Sequence, residues 1–285
     1  MPYHNFFGAH IPISKGLESI IDIVKQTGIK TAQIHPSAPQ RWIFKEFDSD
    51  FSSNLSSVIK ASGLEKMFFH GIYLINLASP DENLVKKSIK SLQIYLNLLR
   101  ASRASGVVFH PGSITDKAEL REGLKRVINS LKFLVQEFGE IPDCILLEVS
   151  AGREHVVGSK LEHFASILDA LGNPKSVAIA LDTQHLWASG YDLLSSYDAF
   201  VAKLKNLNLL SKIKLIHIND IKSDCGSYID RHENIGKGRI GSTVFKRVFS
   251  DNIFKEVPLI LETPAVKNFE TLIEEVRVCR ELMET

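Results

Sequence analysis

A chain of 285 residues with 44% apolar side chains is long enough for one large core or two small ones. Its net charge of +1 excludes nucleic-acid binding by bulk charge, so any positive potential toward such a ligand has to be local. Three widely spaced cysteines, Cys144, Cys225 and Cys279, are an odd count, which excludes a full disulfide framework and points to a reducing compartment.

Residues Met1 to Gly16 lack the basic-then-apolar pattern of a secretory signal, and no window approaches 18 uninterrupted apolar residues. A cytoplasmic protein without membrane contact is the expectation. The first predicted strand is Phe6–Ile11. A helix follows over Leu17–Gln26, with Leu17, Ile20, Ile21 and Val24 at helical spacing and Gly28 as its stop. Strands are predicted at Thr31–His35 and Lys66–His70, then a long helix at Asn83–Ser105 ending at Gly106. Strand Val107–His110, helix Asp116–Phe138, strand Ile145–Val149 and helix Leu161–Leu171 come next. Strand Val177–Leu181, helix Tyr197–Leu210 and strand Ile213–Ile218 continue the alternation. A short helix from Ser242, strand Val257–Leu261 and helix Asn268–Met283 complete it. The apolar runs show little alternation, as parallel strands buried on both faces do. About eight strand–helix units without a linker, repeat or charge block predict one α/β domain over residues 1–285, a closed (β/α)8 or TIM barrel. A doubly wound open sheet ranks below it, because eight uninterrupted units suit closure better.

In such a barrel the reactive groups sit at the C-terminal strand ends. His70, His110, Glu148, Asp182 and Glu262 each end an apolar run, and His217 lies inside Leu215–Ile218. His185 follows Asp182 by three residues, and Asp230 and His232 flank Arg231. Singly, each reads as a rim residue or helix cap. Together, four carboxylates and five imidazoles at one mouth require cations between them, because unpaired buried charge is costly. Imidazole and carboxylate without nearby cysteine suit zinc, and manganese or iron less well. Nine ligands exceed the needs of one ion and suit two or three. Three Zn²⁺ against four carboxylates and one hydroxide leave a residual positive charge that attracts a phosphodiester.

These segments resemble the endonuclease IV family of zinc-dependent apurinic/apyrimidinic endonucleases. The matching runs are 70–76, 110–113, Glu148 with Ala151-Gly152, 181–185 leading to 188–192, 217–220, 226–241 and 258–263. The resemblance implies three zincs. His70, His110 and Glu148 would hold one. Glu148, Asp182, His217 and Glu262 would hold a second, and His185, Asp230 and His232 a third. It further implies metal-assisted hydrolysis 5′ to an abasic site in duplex DNA, leaving a 3′-hydroxyl and a 5′-deoxyribose phosphate. Glu148 and Glu262 would be the catalytic carboxylates, a 3′-phosphodiesterase side activity is compatible, and the working unit would be a monomer.

Tyr73 and Leu74 stand where the family enters the duplex, and Arg41, Lys222, Arg231, Lys237 and Arg239 are candidate DNA contacts. The chain departs from the family at Gln40-Arg41-Trp42, where an Asn is missing and the Arg adjoins the Trp. It departs again at Val149-Ser150, at Gln184 in place of Cys, and at Lys237 in place of Glu. A sugar isomerase or epimerase on the same barrel is the main competing reading, since fold does not fix function. A DNA-binding protein that has lost catalysis would show a missing ligand, and all nine positions are filled.

Overall fold

The computed structural model of the chain describes residues 6–114, 119–139 and 141–284. Eight parallel strands close into a barrel: β1 Phe7–His10, β2 Thr31–Ile34, β3 Lys66–His70, β4 Gly106–Phe109, β5 Ile145–Glu148, β6 Val177–Asp182, β7 Ile213–Ile218 and β8 Leu259–Leu261. Closure is made by β1, which pairs with β2 through Gly8↔Thr31 and with β8 through Gly8↔Ile260. Among the described residues, the outer helices are α1 Ser19–Thr27, α2 Ser49–Ser62, α3 Glu82–Ser102, α4 Leu120–Phe138, α5 Leu161–Ala170, α6 Thr183–Ala188, α7 Tyr197–Asn206, α8 Gly241–Ser250 and α9 Phe269–Glu284.

The predicted elements are found with small shifts. Gly28 stops α1 in a left-handed conformation at φ 63°, its N–H returning to Val24 O at 2.7 Å. The last strand begins at Leu259 rather than Val257, because Val257 N–H closes a turn onto Phe254 O. The expected helix start at Asp116 lies outside the described residues. Helix α2 has no counterpart among the predicted elements. Its sequence, SDFSSNLSSVIKAS, is rich in serine, a residue whose hydroxyl competes for backbone bonds. Asp48 nevertheless caps it through Phe51 N–H at 2.7 Å, and Ser52, Leu55 and Val58 form its buried face.

Two apolar layers position the mouth. The large one fills the space between strands and helices. The small one lies inside the barrel, where Phe68, Val108, Leu146, Ala178, Ala180, Leu215 and Ile260 form an apolar floor. Branched aliphatic side chains dominate it, as in a barrel interior filled in layers. The buried imidazoles and carboxylates His70, Glu148, Asp182 and His217 lie beyond that floor, at the C-terminal strand ends. Gly8 allows β1 to close against β2: a Cβ there would lie 1.7 Å from Thr31 O.

Candidate metal centre

Strand geometry brings the predicted groups together. His70, Glu148 and Asp182 end β3, β5 and β6, His217 precedes the last residue of β7, and His110 and Glu262 directly follow β4 and β8. Asp182 also caps α6: its Oδ1 accepts from His185 N–H at 2.9 Å, so the helix start fixes both side chains. His232 comes from an antiparallel ribbon, Asp220–Ile221 with His232–Glu233, in which Ile221 pairs with His232. Three groups result, each with one potential ligand atom per residue and all those atoms within 4.8 Å of one another: His70, His110 and Glu148; Glu148, Asp182, His217 and Glu262; Asp182, His185 and His232. Asp230 adjoins the last group, 3.3 Å from His185 Nε2 and 3.6 Å from His232 Nε2. Asp182 thus faces two groups, a closeness not anticipated from the sequence.

Glu148 is the centre of the cluster and has no solvent exposure. Its Oε2 lies 3.2 Å from His70 Nε2 and 3.4 Å from His110 Nε2, and its Oε1 lies 2.8 Å from His217 Nδ1. The far side of each ring is held. Nδ1 donates to Gly71 O from His70 at 2.8 Å, to Val149 O from His185 at 2.8 Å and to Glu262 O from His232 at 3.1 Å. His110 Nδ1 meets Ser150 Oγ at 3.0 Å, so of the Val149-Ser150 departure it is the serine hydroxyl that serves a ring. An Nδ1–H bound this way leaves Nε2 with a lone pair directed into the cluster, the arrangement that orients histidine for metal. His185 Nε2 shows the consequence: it is buried and has no hydrogen-bond partner, its approach to Asp230 being off the hydrogen-bonding direction. Inward lone pairs facing carboxylate oxygens fit divalent cations, and imidazole–carboxylate donors without thiolate fit zinc.

Three residues of the mouth had been assigned no role. Gln33 on β2 is fully buried and bonds both His217 and Glu262. His10 and His35 line the same cleft, their rings 4.7 Å apart, and His35 Nδ1 donates to His70 O at 3.1 Å. The signal that singles out His70, an imidazole at a strand end, applies to both histidines. Asn219 adds a further brace, donating to Asp182 Oδ2 at 2.7 Å and accepting from Glu262 N–H at 3.1 Å. Gln184 ties the loop preceding Asp230, donating to Ile229 O at 2.9 Å.

The electrostatics divide the histidines. Burial pushes His35 down to about 3 and His110 down to about 4, so both are neutral. Burial also acts on His217, but the Glu262 and Glu148 carboxylates outweigh it and lift the ring to about 9. His185 is raised well above its usual value, because Asp182, Asp230 and Glu148 outweigh its burial. In protein stripped of metal, protons on His185 and His217 occupy positions that zinc would take. A raised folded-state value stabilises fully below the unfolded value of 6.5 and the contribution is lost as pH rises through the folded one. Stripped protein is therefore expected to lose Tm between pH 6.5 and about 9, whereas zinc-loaded protein loses less, which melts across that range in both states will read. Equal slopes would count against proton–metal exchange.

The cluster opens into a cleft of about 630 Å³ that is also lined by Tyr73, Lys222 and Arg231. Tyr73 is 59% exposed, and burial together with the Glu262 and Glu148 charges pushes its hydroxyl up to about 12, so the ring enters the mouth neutral. Leu74 and Trp42 line an adjoining hollow of about 500 Å³, and Tyr73 N–H bonds Pro39 O at 2.9 Å, joining the two loops. Arg41 is exposed on that loop. Lys222 pairs with Glu233 at 2.9 Å and Arg239 with Asp224 at 3.5 Å. Lys237 and Arg239 flank Gly238, where a Cβ would lie 2.3 Å from Ile221 O. Buried Asp220 gathers that loop by accepting from the N–H groups of Gly238 and Ile240, both at 3.0 Å.

A parallel barrel with paired imidazole and carboxylate clusters at its C-terminal mouth defines a metal-site barrel, and a family described as Xylose isomerase-like TIM barrel matches residues 21–282. Probable endonuclease 4 of Chloroflexus aggregans is 33% identical over 260 residues, covering 90% of this chain and 91% of that protein. The chain belongs to the endonuclease IV family and is a hydrolase of the nuclease type. Apurinic-apyrimidinic endonuclease 1 of Plasmodium falciparum is 32% identical over 275 residues, which are 94% of this chain and 45% of that longer protein. The solved endonuclease IV of Thermus thermophilus superposes with a TM-score of 0.84 at 27% identity, covering 98% of this chain and 99% of that one.

Proposed function

We propose that the chain is a DNA-repair endonuclease that cuts duplex DNA on the 5′ side of abasic sites, leaving a 3′-hydroxyl and a 5′-deoxyribose phosphate, with 3′-phosphodiesterase as a side activity. The observation that carries this is the single cleft in which imidazoles, fixed from behind, turn their free nitrogens toward shared carboxylates. The names of the relatives, endonuclease 4 and apurinic-apyrimidinic endonuclease, support the same reading.

His70, His110 and Glu148 would hold one zinc, Glu148, Asp182, His217 and Glu262 a second, and His185, Asp230 and His232 a third. Bound there, zinc supplies a Lewis acid for a phosphate and lowers the pKa of water toward about 7. The side chains do the rest. Glu148 spans the first two groups, so one carboxylate fixes their separation. Asp182 spends one oxygen on the α6 cap and keeps the other for the cluster, braced by Asn219. Lys222 and Arg231 set positive charge on the rim where a backbone phosphate would approach. Tyr73, with Leu74 behind it, offers an exposed neutral ring to the gap left by a missing base. Arg41, Lys237 and Arg239 are assigned to the flanking backbone. The working unit is proposed to be a monomer in the cytoplasm. Three free cysteines fit a reducing compartment, and no described helix is long and apolar enough to cross a membrane.

The test is a duplex bearing one tetrahydrofuran abasic analogue. The damaged strand is expected to be nicked at the lesion, and brief exposure to EDTA leaves the activity intact. Turnover of free sugars with the duplex left whole would assign the cleft to a sugar isomerase instead.

A further inference from the structure

We propose that Gln33 is a positioning residue that sets the ligand geometry of His217 and Glu262, an inference that rests on the zinc centre proposed above. Gln33 sits mid-strand on β2 with no solvent exposure, in register with His10 on β1 and Phe68 on β3. A buried amide is costly unless its donors and acceptor are used. All of this one's contacts go to the mouth: Oε1 accepts from His217 Nε2–H at 2.9 Å, and Nε2 donates to Glu262 Oε1 and to His10 Nδ1, the latter at 3.1 Å.

The amide orientation follows from its partners. Turned over, Oε1 would face the Glu262 carboxylate and the His10 lone pair, acceptor against acceptor. The observed orientation fixes the proton of His217 on Nε2. Its other nitrogen, Nδ1, then points at Glu148 Oε1 at 2.8 Å, Glu262 Oε2 at 3.2 Å and Asp182 Oδ2 at 3.9 Å. The other four histidines of the cluster are held through Nδ1 by carbonyl or hydroxyl groups and present Nε2. His217 is inverted for a structural reason. It projects from the inner face of a barrel strand paired on both sides, and the group that reaches its outer nitrogen is the inward side chain of Gln33 rather than a backbone carbonyl. Gln33 meets that need without adding charge, and with the same amide it holds the second ligand, Glu262.

The experiment compares wild type, Gln33→Met, which keeps bulk and removes every hydrogen bond, and Gln33→Glu, which keeps the acceptor for His217 but sets a carboxylate beside Glu262. Zinc content and the rate of zinc transfer to a chelator are measured, with circular dichroism and melting of the stripped proteins. Wild type is expected to hold about three zincs. Both variants should fold, and release one of the three about 10–100-fold faster while the others leave at the wild-type rate. Should Gln33→Met fail to fold, Gln33→Glu carries the same comparison. A folded variant that releases all its zinc at the wild-type rate overturns the proposal, as does uniform loss of every zinc together with the fold in both variants. Wild type without zinc would instead overturn the metal centre itself.

Discussion

Replacing Glu148 with Gln is expected to lower incision of an abasic duplex by more than about a hundredfold, beyond the usual cost of losing a partner that merely supports a ligand. The reason is its position. One oxygen lies near the inward nitrogens of His70 and His110, the other near that of His217, and among the described residues no other serves the first two groups together. Glutamine keeps the volume but gives up one acceptor oxygen and the charge, and presents N–H groups to nitrogens that need a cation. Zinc content should therefore fall with activity, while circular dichroism stays unchanged, because the apolar floor beneath, with Leu146 on the same strand, is untouched. Retention of incision within tenfold would remove Glu148 from the centre of the account.

Glu262→Gln is expected to separate catalysis from binding. Glu262 faces His217 Nδ1 at 3.2 Å through one oxygen, and Gln33 holds the other. Its side chain is only 13% exposed, so it sits below the rim that would meet DNA. The substitution is expected to reduce incision about a hundredfold. The dissociation constant for the abasic duplex should change by less than about tenfold, or about 1.4 kcal/mol. Single-turnover incision and equilibrium binding on one labelled duplex measure both. Equal losses would give Glu262 a structural role.

The features legible in the sequence are those that sit where a pattern breaks. An apolar run ending in His70, Glu148 or Asp182 marks both the strand and the inward group at its mouth. Helix α2 was illegible because its serines weaken the helical signal, and it is held by the Asp48 cap and the burial of Leu55 and Val58. Gln33 was illegible for a different reason: all four residues of β2 are buried, so nothing along the chain tells the inward face from the outward one. Only closure of the barrel puts its amide between His217 and Glu262. The closeness of Asp182 to His232 likewise depends on the ribbon that carries His232, whose two-residue strands leave no periodic trace. His10 and His35 were legible by the rule that found His70, and each lies within a predicted strand.

The proposed function requires the cluster to be a zinc centre. Elemental analysis of protein purified without chelator measures that directly. About three zincs per chain is the expected result; one or none would contradict it.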